Sequence, residues 1–204
     1  MTVAQPPVIE AVDLGLPSGL KWASFNLGAS APEDYGDYYA WGETEPKEDY
    51  SWSTYKWCMN GSDSQLTKYC TNSSYGYNGF TDNKTVLTPE DDAAAVNWGG
   101  KWRMATMDEW NELKNKCTWT WTAQNGVNGR LVTGPNGNSI FLPAAGYRFG
   151  TSLGSAGSYG AYWSSSLNTG YPYFAYYVGF DSGGVYWYLD YFRCDGLSVR
   201  PVSE

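Results

Sequence analysis

The chain of 204 residues contains no histidine. That absence removes Ser–His–Asp and Cys–His nucleophile pairs, imidazole zinc sites and the commonest general base. Basic side chains are also scarce, with 13 Lys and Arg against 21 Asp and Glu and a formal charge of −8. Nucleic acid and anionic membrane surfaces both demand basic patches, so neither is an expected partner. Four cysteines, Cys58, Cys70, Cys117 and Cys194, show no C-x-x-C spacing and are too few for a disulfide framework. Buried or free thiols and a Cys58–Cys70 bridge both stay open. No apolar run approaches the ~18–20 residues of a membrane span, so no membrane insertion is expected. The opening MTVAQPPVIE has neither a basic stretch nor an apolar one. No signal peptide is expected there, and about residues 1–8 are expected to form a flexible tail.

A further absence is regional. Lys, Glu, Gln and Met occur 23 times in residues 1–130 and not once in residues 131–203. Tyr, Ser, Gly, Asn and Asp fill the space, and ten of the 18 tyrosines lie between Tyr147 and Tyr191. This is the palette of an antibody paratope, where tyrosine supplies rigid amphipathic contact and small polar residues adapt their hydrogen bonds. It is equally a palette that forms sheets.

What remains is rich in aromatic residues, at 18%. The runs AVDLGL and LKWASFNLG, separated by Pro17–Gly19, read as a hairpin. Residues 30–85 are irregular yet carry many Tyr and Trp, so they read as a long loop region packed by rings rather than a disordered linker. In TPEDDAAAVNWGG, Thr88 suits an N-cap, Pro89 the first helical position and Gly99 the end. Glu90, Asp91 and Asp92 then favour the positive end of the helix dipole. In TMDEWNELKNKC, Thr106 and Glu109 form a capping box, and Trp110, Leu113 and Cys117 share a face. After Cys117 short strands alternate with Gly, Asn and Ser turns. The order predicts an α+β fold, two helices on small, mostly antiparallel sheets with long irregular loops, and N- and C-terminal strands paired.

Several segments together resemble a known family: VDLGLPSGLKWASFNLGAS (12–30), YYAWGE (38–43), KWRMATMDEWNEL (101–113), GYR (146–148), YWSSS (162–166) and GLSVRPV (196–202). They are similar to the lectin-like domain abundant in gut bacteria and their phages, whose C-type lectin fold is shared with formylglycine-generating enzymes. Residues 162–202 further resemble the variable region of proteins diversified by diversity-generating retroelements, in which adenines of asparagine-type codons are randomised. Codons ending in a pyrimidine never encode Lys, Glu, Gln, Met or Trp, in keeping with the regional absence. The resemblance implies a single C-type-lectin-like domain over residues 1–204, with a variable ligand-binding region over about 160–196. It implies fixed scaffold positions at Trp163, Ser164–Ser166, Ala175, Tyr176, Phe180, Trp187, Arg193, Gly196, Ser198, Val199 and Arg200. It implies diversified, ligand-binding positions at Tyr171, Tyr173, Phe174, Tyr177, Gly179, Asp181, Tyr186, Tyr188, Leu189, Asp190, Tyr191, Cys194 and Asp195. Simple alternation along GVYWYLDYF puts Tyr186, Tyr188 and Asp190 on one exposed face, with Trp187 anchoring the other. Leu189 and Tyr191 fit that alternation poorly, so a bend or bulge is expected nearby.

The function implied is non-enzymatic: display of a variable surface to a protein or glycan on a phage virion or a bacterial cell envelope, with no cofactor and no metal. An oxygen-dependent formylglycine-generating-type enzyme is the alternative from another class, but no second cysteine lies near Cys194 in sequence. Calcium-dependent sugar binding is disfavoured because Glu45-Pro46-Lys47 puts lysine where an oxygen ligand belongs. A fixed, calcium-independent glycan-binding module remains open. Glu109 and Glu112, neighbours on a helix, could pair as in a glycosidase, but helix capping explains them better.

Overall fold

A computed structural model describes residues 8–204. The expected tail lies outside the described residues except for Val8, which is exposed. In chain order the elements begin with β1 (Ala11–Asp13), β2 (Lys21–Ala23), α1 (Ala93–Trp98), β3 (Arg103–Met104) and α2 (Met107–Lys116). Strands follow: β4 (Thr118–Gln124), β5 (Val127–Thr133), β6 (Ser139–Pro143), β7 (Tyr147–Phe149) and β8 (Ser152–Gly154). The last four are β9 (Gly160–Leu167), β10 (Phe174–Phe180), β11 (Val185–Phe192) and β12 (Pro201–Ser203). Two α-helices among several small antiparallel sheets make an α+β arrangement. No helix among the described residues is long and apolar enough to cross a membrane.

The expected first hairpin forms, with Gly19 at positive φ donating its N–H to the Leu16 carbonyl. Its second strand pairs with β12, which pairs in turn with β3, in the order β1-β2-β12-β3. The two ends of the described chain are therefore neighbours. The capping box at Thr106 and Glu109 is present, with Glu109 also holding Arg103 through both carboxylate oxygens. Trp110 and Leu113 are buried, and Cys117 packs beside them as the residue that ends α2.

The first helix starts later than its sequence suggests. Residues 89–91 form a 3-10 turn, Thr88 makes no capping bond, and Asp92 is the cap. Its carboxylate accepts from the N–H groups of Ala94, Ala95 and Met104, and the third of these pins the helix to β3. Asp91 faces elsewhere, taking hydrogen bonds from Lys68 and the Tyr69 hydroxyl.

Residues 30–85 carry no extended strand, as expected, and are held by buried rings. Trp41, Tyr50, Tyr55 and Tyr69 are all buried, and Trp41 donates its indole N–H to the Ser164 carbonyl. Each such ring contributes about 2 kcal/mol through burial.

The three-stranded sheet β9-β10-β11 lies between two hydrophobic clusters. On one face Tyr162, Val178 and Phe180 pack with Trp110 of α2. On the other, Ala161, Trp163, Ala175 and Tyr177 pack with Trp41 and Leu197. A sheet covered on both sides carries apolar residues on both, which is why this segment shows so little polar alternation.

Candidate functional site

The expected bulge sits in β11. Tyr177 pairs with Leu189, but Gly179 pairs with Tyr186, so Trp187 and Tyr188 together oppose the single residue Val178. Tyr188 takes up a left-handed backbone, φ +54°, as a non-glycine residue at the bulge. One extra residue reverses the parity of everything before it. Tyr186 therefore joins Tyr177, Leu189 and Tyr191 on the face that looks away from α2. Tyr188 stays on the opposite face beside Tyr176, ring centroids 6.1 Å apart.

This corrects the single exposed face expected from Tyr186, Tyr188 and Asp190. All three are solvent-exposed, but the bulge sends Tyr186 to one side of the sheet and Tyr188 with Asp190 to the other. Asp190 accepts a hydrogen bond from Asn168, 2.7 Å. Trp187 packs into the α2 side as expected, with Lys114 Nζ 3.2 Å above its ring.

On the far face lies a cleft of about 630 Å3. Its lining includes Tyr147, Tyr159, Tyr177, Tyr186 and Tyr191, with Ser155, Ser158, Ser182 and Asp181 between them. Each element delivers a part. β7 contributes Tyr147 and β10 contributes Tyr177. The turn before β9 closes through hydrogen bonds from the Ser158 and Tyr159 N–H groups to the Ser155 carbonyl, which brings Tyr159 in. At the β10–β11 turn, Asp181 Oδ1 accepts from the N–H groups of Gly183 and Gly184, at 2.7 and 3.0 Å. The Tyr186 hydroxyl reaches the same carboxylate, 3.3 Å to Oδ1 and 3.4 Å to Oδ2. Arg130 braces the turn from behind by donating to the Asp181 carbonyl.

Four of these tyrosines form a closed ring of contacts. Tyr159 meets Tyr147 at 6.4 Å and 84°, Tyr147 meets Tyr191 at 5.4 Å and 67°, and Tyr191 meets Tyr177 at 5.8 Å and 73°. The circuit closes through the Tyr177 and Tyr159 hydroxyls, 3.3 Å apart. Burial raises the pKa of Tyr159, Tyr177 and Tyr191, so their phenols stay neutral across the physiological range. The cleft thus offers neutral hydroxyls, steeply inclined rings and one carboxylate, with no Lys or Arg among its lining residues.

Residues 110–202 match the family model of a domain of unknown function, DUF8237. That segment runs from Trp110 in α2 to Val202 in β12 and holds every residue of the cleft lining. No curated protein and no solved structure matches the chain.

Within the matched segment, the positions expected to bind ligand fall into four places. Tyr177, Asp181, Tyr186 and Tyr191 line the cleft, with Leu189 packed behind. Tyr171, Tyr173 and Phe174 form a separate surface ridge with Phe192, in which Tyr173 and Phe174 lie 4.4 Å apart and Phe174 and Phe192 lie 4.9 Å apart. Tyr188 and Asp190 stand on the α2 side. Cys194, Asp195 and Gly179 are buried and are not among the residues that line the cleft. Cys194 packs among Tyr38, Tyr50 and Tyr55 rather than at an interface. All four cysteines are free thiols.

Tyr147, Tyr159, Ser155 and Ser158 were not singled out by residue. They lie at the edge of or outside the stretch that resembles a variable region, and only the regional surplus of Tyr and Ser hints at them. Among the positions expected to be scaffold, Trp163, Arg193 and Arg200 are fully buried, and Trp163 donates to the Tyr39 carbonyl.

Gly179 acts on the cleft from behind. A Cβ there would stand 1.9 Å from the Tyr159 hydroxyl and 2.7 Å from its Cζ, with Leu189 Cδ1 also within 3.1 Å. Gly179→Ala is expected to swing Tyr159 away, break its bond to Tyr177 and cost about 1–3 kcal/mol. Denaturant titration reads the stability, and the near-ultraviolet circular dichroism of the tyrosines reads the displaced ring.

Proposed function

We propose that this chain is a non-enzymatic ligand-binding domain of C-type lectin fold whose diversified surface meets a protein or glycan on a phage virion or a bacterial envelope. The observation that carries this reading is the 630 Å3 cleft, all of whose lining comes from the region without Lys, Glu, Gln or Met. Clefts of this size with a few convergent polar groups are the usual form of small-ligand sites. Tyrosine dominates binding hot spots because it buries large area while losing little conformational entropy. The ridge of Tyr171, Tyr173, Phe174 and Phe192 offers a second contact surface, with Tyr171 53% and Phe192 39% exposed.

The non-enzymatic character is supported by the thiols. Burial raises the pKa of Cys58, Cys70 and Cys194, and lifts Cys117 to about 11. An oxidising enzyme built on cysteine needs a thiol that ionises readily, in an electropositive and accessible setting.

Sequencing this gene across sibling isolates tests the reading. Substitutions are expected to concentrate at Tyr171, Tyr173, Tyr186, Tyr188 and Asp190, with Trp163, Trp187 and Arg193 unchanged. An even scatter of substitutions along the chain would overturn diversified binding.

A further inference from the structure

We infer that the tyrosine cleft receives an alkylated ammonium group, as borne by a choline headgroup or a methylated lysine side chain. The inference rests on the cleft being the ligand site and names the chemistry it takes.

Three features converge. First, Tyr147, Tyr159, Tyr177 and Tyr191 stand as walls, with neighbouring planes 67–84° apart and centroids 5.4–6.4 Å apart. A cation is attracted to a ring when it lies within about 6 Å of the centroid, so a cation inside such a box is in reach of several rings at once. Second, the lining holds one carboxylate, Asp181, at the rim beside Tyr186, and no Lys or Arg. Asp181 Oδ1 is occupied by the two turn N–H groups, while Oδ2 has only the 3.4 Å contact from Tyr186. One carboxylate oxygen is thus left without a close donor, while Arg130, the cation beside this turn, is engaged with the Asp181 backbone carbonyl. Third, the phenols are neutral, so the rings present their own quadrupoles and the box holds no charge that would fix a small metal cation.

Size and solvation point to a methyl-bearing ammonium rather than a bare amine. An alkylated ammonium gives up its hydration easily and donates few or no hydrogen bonds, which suits walls of ring carbon. A sugar is less well matched. Among the lining residues only Asp181 has a planar polar head for a pair of hydroxyls, and half of that head is engaged in its own turn.

Isothermal titration of the intact chain with choline chloride, against sodium chloride and the uncharged carbon isostere 3,3-dimethylbutan-1-ol, tests the proposal. Choline is expected to bind and the isostere to bind at least about tenfold more weakly. Nα-acetyl-trimethyllysine amide carries the same group from a protein source, and the tighter of the two cations identifies that source. Tyr186→Ala, at an exposed rim position, is expected to weaken choline about tenfold. Asp181→Asn keeps the turn acceptor while removing the charge, and is expected to weaken choline about fivefold and leave the isostere unchanged. Equal binding of choline and isostere, or no binding of either cation, would overturn the proposal. The sequencing of sibling genes is independent of this titration, so a cleft that is diversified yet blind to ammonium fails here alone.

Discussion

Replacing Arg193 with alanine is expected to cost about 4 kcal/mol or more and to leave most of the chain unfolded in mild urea. The side chain is completely buried and has no carboxylate partner. Its Nε donates to the Tyr55 hydroxyl at 2.9 Å, Nη1 to the carbonyls of Tyr69 and Pro172, and Nη2 to the carbonyl of Lys68. The guanidinium also lies 5.0 Å from the Trp41 ring centroid and 5.3 Å from that of Tyr55. Truncation would strand the buried carbonyls of Tyr69 and Pro172 and the partly buried one of Lys68, at about 1–3 kcal/mol for each group left unpaired, and open a cavity among the rings, while the Tyr55 hydroxyl keeps its bond to the Trp41 carbonyl. Arg193→Lys is expected to recover little, because one ammonium cannot reproduce the planar fork that spans Tyr55, Lys68, Tyr69 and Pro172. Urea titration monitored by tryptophan fluorescence checks both variants. A loss below about 1 kcal/mol for Arg193→Ala would show that the aromatic packing alone holds residues 50–70 against β11.

Arg193 also marks where sequence reading stops. The irregular stretch from residue 30 to 85 advertised its rings, and those rings are buried, but nothing local says that one guanidinium at the end of β11 would tie residues 55, 68 and 69 together. Signals confined to a single turn were legible. The capping box at Thr106 and Glu109 needs only residues three apart, and it forms as expected. The start of α1 was not legible, because Asp92 outcompetes Thr88 through a third hydrogen bond from Met104, twelve positions away. The bulge in β11 was anticipated from the poor fit of Leu189 and Tyr191. Its consequence was not: which way Tyr186 turns depends on the partner register, Gly179 opposite Tyr186, and register is a property of two strands. The cleft was half visible for the same reason. Tyr177, Asp181, Tyr186 and Tyr191 belong to the last hairpin, while Tyr147 and Tyr159 come from the segment before it and meet them only in space.

The largest pH effect is expected at Asp195. Its residue is 7% exposed, its nearest polar partner is the Cys194 thiol at 3.8 Å, and burial pushes its pKa up to about 7. The folded chain therefore holds the Asp195 proton more tightly than the unfolded chain, where the group titrates near the ordinary aspartate value. Between about pH 4 and pH 7 the native state binds more protons than the unfolded state, so this group's contribution to stability falls as pH rises through that window and is flat above it. A shift of this size corresponds to about 4 kcal/mol at most, and about 2 kcal/mol once residual solvent screening is allowed for. Asp195→Asn mimics the protonated form. It is expected to match the parent chain at pH 4 and to exceed it by about 2 kcal/mol at pH 8. Burial also raises the pKa of Asp37 and Asp92, whereas Glu33, Glu90 and Glu109 run the opposite way. At Glu109 burial pushes the pKa up, but the Arg103 guanidinium and the Thr106 N–H outweigh it and hold the group below its ordinary value, so its contribution is lost as pH falls. The raw stability curve therefore mixes signs, and the difference between the Asp195→Asn and parent curves isolates the one group. If that difference does not grow from pH 4 to pH 8, Asp195 is ionised in the folded chain at neutral pH and finds in solution a partner for its charge.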